Sequence, residues 1–149
     1  MPYPNGNRYD NRYQGGNTRN YQQRETPAPV PDFPDEYVDF AEKLMKEQYR
    51  KITTSKLRNI LSLLTDVYNE EMLRTEESVS EDSMVKLQMA RIRIAYECGR
   101  DRNTKEFVDA AYLLPWLKDI GNSRAQANRY VHYLEAIVAY HRIFGGREN

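Results

Sequence analysis

The sequence predicts an all-α protein, a compact antiparallel bundle of about five helices behind a disordered N-terminal tail. From Asp32 onward apolar residues recur at three- and four-residue spacing, with no sustained period-two alternation. Glycine and proline fall mostly at the ends of the periodic segments, and the connections are short, which returns successive helices against one another. Residues 1–31 differ in kind. They are rich in Asn, Gly, Gln, Arg, Tyr and Pro, with Val30 nearly alone among aliphatic residues, and such a stretch cannot offset the entropy of ordering. The expected division is a tail, 1–31, and a single helical domain, 32–149.

The first helix follows Pro34, carries Asp35 and Glu36 where the helix dipole favours acids, and sets Tyr37, Phe40, Ala41, Leu44 and Gln48 on one face, ending near Tyr49. The second starts at Thr53 or Thr54 and lines up Leu57, Ile60, Leu61, Leu64, Val67, Tyr68 and Met72. After the polar loop RTEESVS, Ser80 caps the third, Val79 and Met84 are placed as a staple, Glu81 and Asp82 occupy the first turn, and Gly99 is a natural stop. This helix has two apolar stripes. Met84, Leu87, Ile94, Ala95 and Cys98 make one, Val85, Met89, Ile92 and Tyr96 the other, which predicts a central helix covered on both sides. The fourth opens with Asn103 and Glu106 at capping-box spacing and meets Pro115, which kinks it or starts a new turn before Gly121. Ser123 and Gln126 open the fifth, which ends at Gly145-Gly146.

No bilayer-length apolar run and no secretory leader is present, so the expected compartment is the cytoplasm. A lone Cys98 allows no internal disulfide. Phosphate-cradling, zinc-protease, nucleophile-elbow and dinucleotide-binding motifs are missing, so no catalytic residue, cofactor or metal is expected. His132 and His141 lie nine residues apart on one helix, about 180° around it, and cannot share a metal; His141 falls on the core stripe, where a hydrogen-bonded structural histidine is expected.

Net charge is zero but segregated. Residues 43–58 hold six bases and one acid, 86–105 six bases and two acids, and 66–82 seven acids and one base. A basic and an acidic patch suit a polyanion on one side and a partner, or another copy, on the other, although solvated helix faces also look like this. In the tail, Arg8, Arg12, Arg19 and Arg24 interleave with Tyr3, Tyr9, Tyr13 and Tyr21, a pattern that suits brushing a single strand or merely solubility.

The most informative stretch is KITTSKLRN at 51–59. With Thr53 as cap and Ile52 and Leu57 as staple, the first turn holds Lys56, with Lys51 just before it and Arg58 just after, where the dipole prefers anions. Free N–H groups, the hydroxyls of Thr54 and Ser55 and converging bases have the parts of a phosphate site. The alternative is that Thr53 only caps while the lysines are solvated or paired with the acids of 66–82. The last helix has a second face, including Arg129, Tyr133, Tyr140 and Ile143, which is covered either by its own domain or by another protein; Tyr133, Tyr140 and Ile143 are the predicted protein interface.

The segments KITTSKLRNILSLL, FVDAAYLLPWLKDIG and YVHYLEAIVAYHRIFGG together resemble the small helical subunit of type III-A CRISPR interference complexes, the Csm complex, over roughly 34–147. The resemblance implies a non-catalytic subunit present in several copies and stacked as a filament. It would lie beside the guide-binding backbone subunits, near the large subunit, and contact the backbones of target RNA and guide-target duplex, while base pairing reads sequence. Carried over by position, Thr54, Ser55, Lys56 and Arg58 would grip phosphates, with Lys51 nearby. Arg91, Arg93, Arg124 and Arg129 join them from the residue pattern alone. The other reading is a helical oligomeric protein scaffold without direct RNA contact.

Overall fold

The computed structural model describes residues 29–148; the arginines and tyrosines singled out in the tail lie outside them. Six helices form an all-α bundle: α1 Tyr37–Gln48, α2 Thr54–Met72, α3 Glu81–Arg100, α4 Arg102–Ala110, α5 Leu113–Asp119 and α6 Arg124–Ile143. The predicted fourth helix is two. It breaks at Tyr112, which adopts φ 54°, so that Pro115 falls in the first turn of α5, where its missing N–H leaves no bond unmade. Pro115 offers no N–H to the Ala111 carbonyl, and the Leu113 carbonyl lies at the opening of the short α5. Two tyrosines of α6 serve them: Tyr133 OH donates to Ala111 O at 2.9 Å and Tyr130 OH to Leu113 O at 2.8 Å.

Those bonds correct one prediction. Tyr133 is no protein interface residue; it is fully buried, with its ring against Phe33, Phe40 and Trp116. Burying a side chain of this size contributes about 2 kcal/mol, and its one polar atom is already satisfied inside the chain. Burial pushes the phenols of Tyr130 and Tyr133 upward, so both stay neutral. Trp116 Nε1–H donates to Pro31 O at 2.8 Å, which ties the described N-terminal segment to this aromatic core.

The centre of the bundle is α6, packed between α1 and α2 and touching α5, whereas α3 meets α2, α4 and α5 on one side. The prediction of a doubly covered α3 is therefore corrected. Its buried stripe is Ser83, Leu87, Ala90 and Ile94, and Val85, Met89, Ile92 and Tyr96 are exposed. The helix also runs past Gly99 to Arg100, and Asp101 rather than Asn103 caps α4, accepting from Asn103 N at 2.9 Å. Met72 is exposed, while its neighbour Glu71 is buried.

Candidate nucleic-acid interface

The start of α2 is built as expected in one respect. Thr53 is extended and its hydroxyl accepts from Lys56 N at 3.3 Å, with Ile52 and Leu57 both buried at the staple positions. The donors expected to face a phosphate face the chain's own C-terminus. Thr54 N–H donates to Arg147 O at 2.8 Å and Ser55 N–H to Glu148 O at 3.2 Å. The two hydroxyls follow the same carbonyls, Thr54 Oγ1 to Arg147 at 3.1 Å and Ser55 Oγ to Glu148 at 2.8 Å.

His141 and Gly146 hold this arrangement. His141 Nε2 donates to Ile52 O at 2.7 Å, its Nδ1 lies 3.4 Å from Thr54 Oγ1, and a Cβ on Gly146 would overlap the imidazole ring. Gly145, at φ 85°, turns the chain back off α6 toward α2. The Gly-Gly that ends the last helix is thus the means by which the C-terminal tail, residues 145–148, reaches the α2 start.

The lysines are paired. Lys56 Nζ donates to Asp101 Oδ2 at 2.5 Å and Thr104 Oγ1 at 3.0 Å, and Lys51 Nζ to Glu106 Oε2 at 2.5 Å. Hydrogen bonding from each lysine, and its charge, hold the Asp101 and Glu106 carboxyls below their ordinary range. Arg58 is exposed with no partner among the described residues. Two further cations join this end of the bundle that the sequence pattern did not single out. Arg50 stacks over Tyr49 at 5.3 Å, and Arg147 arrives with the tail; with Tyr49, Phe144 and Gly145 they line a cleft of about 430 Å³. Neither has an acidic partner among the described residues. The adjacency of Arg50 to Lys51 was the available signal for one. Nothing local signals Arg147, because only the folded tail brings it here.

The remaining predicted cations do not gather there. Arg124 Nε donates to Glu71 O at 2.8 Å, and Arg129 pairs with Asp35 at 2.9 Å while covering the Phe33 ring. Both tie α6 to other parts of the chain, away from the start of α2. Arg91 bonds Gln88 at 2.9 Å beside α5, and Arg93 is exposed in the groove between α2 and α3. Tyr140 is half-buried against Phe144, and Ile143 is exposed. Among the described residues no cluster of three or more metal-ligating side chains occurs.

Residues 33–147 match the family described as Csm2 Type III-A. The chain belongs to this Csm2 family. It is 31% identical over 120 residues to the CRISPR system Cms protein Csm2 of Streptococcus thermophilus, covering 76% of this chain and 95% of the relative. The protein of the same name from Mycobacterium tuberculosis strain H37Rv is 34% identical over 110 residues, 71% of this chain and 89% of the relative. That of Enterococcus italicus is 30% identical over 124 residues, 72% and 88%. The KITTSKLRN and HRIFGG stretches therefore belong to a Csm2-family chain, the small-subunit family that the sequence resembled.

Proposed function

We propose that the chain acts as a non-catalytic small subunit of a cytoplasmic type III-A CRISPR ribonucleoprotein, present in several stacked copies and contacting the backbone of target RNA. Family membership supports the assembly, and no helix among the described residues is long and apolar enough to cross a membrane. The observation that carries the RNA contact is the end of the bundle where Arg50, Arg58 and Arg147 lack acidic partners among the described residues, beside Lys51 and Lys56, which hold one carboxylate each. Guanidinium groups that hold no carboxylate suit phosphates, Arg50 donating only to the neutral Tyr49 hydroxyl at 2.9 Å, and a phosphate can exchange for an exposed carboxylate at a lysine with little net cost. Thr54 and Ser55 serve RNA in this reading only where the C-terminal carbonyls give way.

The test is target-RNA binding by the purified multi-subunit particle carrying Lys56→Ala with Arg58→Ala, and separately Arg50→Ala with Arg147→Ala. Each pair should weaken binding several-fold irrespective of base sequence and lower the salt slope by about 1 to 2, one unit for each phosphate no longer neutralised. Unchanged affinity and slope in both would remove the RNA contact. The second reading, a protein scaffold without RNA contact, draws on the bare apolar stripe of α3. Under it salt weakens assembly while RNA has no effect.

A further inference from the structure

Four of the large apolar side chains in solvent share one face of one helix. Val85, Met89, Ile92 and Tyr96 are 57%, 52%, 69% and 58% exposed and recur at i, i+4, i+7 and i+11 on α3. They lie two residues on from the buried stripe of Ser83, Leu87, Ala90 and Ile94, hence about 200° around the helix. The exposed stripe is a ridge about 16 Å long, at 1.5 Å per residue. It has a groove on each side. Between α3 and α5 lies a cleft of about 700 Å³ that includes Arg91, Ile92 and Lys118, and between α2 and α3 one of about 430 Å³ that includes Leu63, Arg93 and Tyr96.

Neither cleft is lined by an acid. Arg93 and Lys118 have no ionic partner among the described residues, and Arg91 bonds only the neutral Gln88. Glu97, four residues after Arg93, forms no ion pair with it among the described residues, although that spacing permits one. A ridge between two grooves is the surface that a packed helix complements, and grooves that carry Arg91, Arg93 and Lys118 but no acid call for carboxylates opposite them, while Glu81 and Asp82 flank Val85 at the other end of the ridge. RNA fits the charge but leaves four large apolar side chains without apolar contact, whereas nucleic-acid interfaces are polar and wet. A second copy fits poorly too. Packed face to face it would set the same cations against each other, and packed face to back it finds no second stripe among the described residues, because the other exposed apolar residues there, such as Val38, Met72 and Ile143, are scattered over different helices.

We propose that this face of α3 docks an acidic amphipathic helix of a different protein chain, its apolar side chains seated along Val85 to Tyr96 and its carboxylates meeting Arg91, Arg93 and Lys118. The mode is helix-in-groove recognition with Ile92 and Tyr96 as anchors. It does not depend on the RNA contact at the start of α2.

The experiment places a benzophenone photo-crosslinking amino acid at Ile92 of the full chain. Cells co-expressing the neighbouring subunits are irradiated, and the product is purified through a tag on this chain and peptide-mapped. A crosslink to an acidic, amphipathic helical segment of another polypeptide is expected, with the yield cut at least five-fold by Arg91→Glu with Arg93→Glu at unchanged melting temperature. A crosslink to RNA, to a second copy or to a segment without acids overturns the proposal. So does the absence of any light-dependent product, or a yield that ignores the charge reversal. Whether the unmodified chain enters the RNA-containing particle is scored separately and bears on the proposed function alone.

Discussion

The starts of α2 and α3 meet the same physical need by different routes. Each helix leaves its first N–H groups without intrahelical partners and presents a partial positive charge. At α3 the answer is local. Ser80 Oγ accepts from Ser83 N at 3.0 Å and donates to Glu70 at 2.9 Å, Ser80 N–H donates to Glu71 at 2.9 Å, and Glu81 and Asp82 occupy the first turn. At α2 the first turn holds no acid, and the acceptors for Thr54 and Ser55 come from Arg147 and Glu148, 93 residues away. A local cap can form with its own helix hairpin. The α2 start is complete only when the C-terminal residues have closed on it, and under the proposed function it is there that a phosphate would take the place of part of the fold.

The largest test of that contrast is His141→Ala. The substitution removes a buried ring under Gly146 and leaves the Ile52 carbonyl without its donor, which should cost about 3 kcal/mol in urea unfolding. The more specific readout is amide exchange. Protection should fall at Thr54 and Ser55 and persist at Ser83, because only the α2 start leans on the tail. Retained protection at Thr54 and Ser55 would show that the tail does not hold this helix end.

Next in size is Glu71→Gln, aimed at the other helix. Burial alone would push the Glu71 carboxyl upward, but the Ser80 N–H and the Arg74 charge outweigh it and hold the group below its ordinary 4.5. A lowered carboxylate contributes stability that is present at neutral pH and lost as pH falls below 4.5 through the folded value. Glu71→Gln should therefore cost about 2 kcal/mol at pH 7, where Arg74 and Arg124 lose their shared counter-charge, and the gap to the parent chain should narrow toward pH 3. A pH-independent gap would mean that the carboxylate's charge contributes nothing there.

What the sequence shows and hides follows the same division between local and distant. Thr53, Ser80 and Ser123 were legible as caps because capping spans three residues, and all three accept from the expected N–H. His141 was legible as structural from its place on the core stripe. The partners of Lys51 and Lys56 were not, since Glu106 and Asp101 lie 55 and 45 residues away. Nor does a run of seven acids announce that Glu71 is buried within it. The stripe of Val85, Met89, Ile92 and Tyr96 was visible, but periodicity measures only which residues share a face. It does not say whether the covering surface comes from the same chain, and here the described chain leaves that face bare.

The smallest effect sharpens the comparison most. Ending the chain at Gly146 removes the two carbonyls at the α2 start while keeping the glycine against His141. It should cost about 1 kcal/mol, measured in 0.5 M salt so that the new terminal carboxylate is screened from the helix dipole. In the full chain Thr53→Ala removes one of several acceptors at this end and should cost about 1 kcal/mol. Thr53 and the tail act on adjacent N–H groups of one turn, so their effects should not add. In the shortened chain, where Thr53 is the last protein acceptor there, the first turn frays more readily, and the two changes together should differ from their sum by about 0.5 kcal/mol or more. Ser80→Ala supplies the control, since its cost should be the same in both chain lengths. Additivity at Thr53 would mean that the tail and the cap hold the α2 start independently, and the distant acceptors would then be an accessory to a helix already specified by its own sequence.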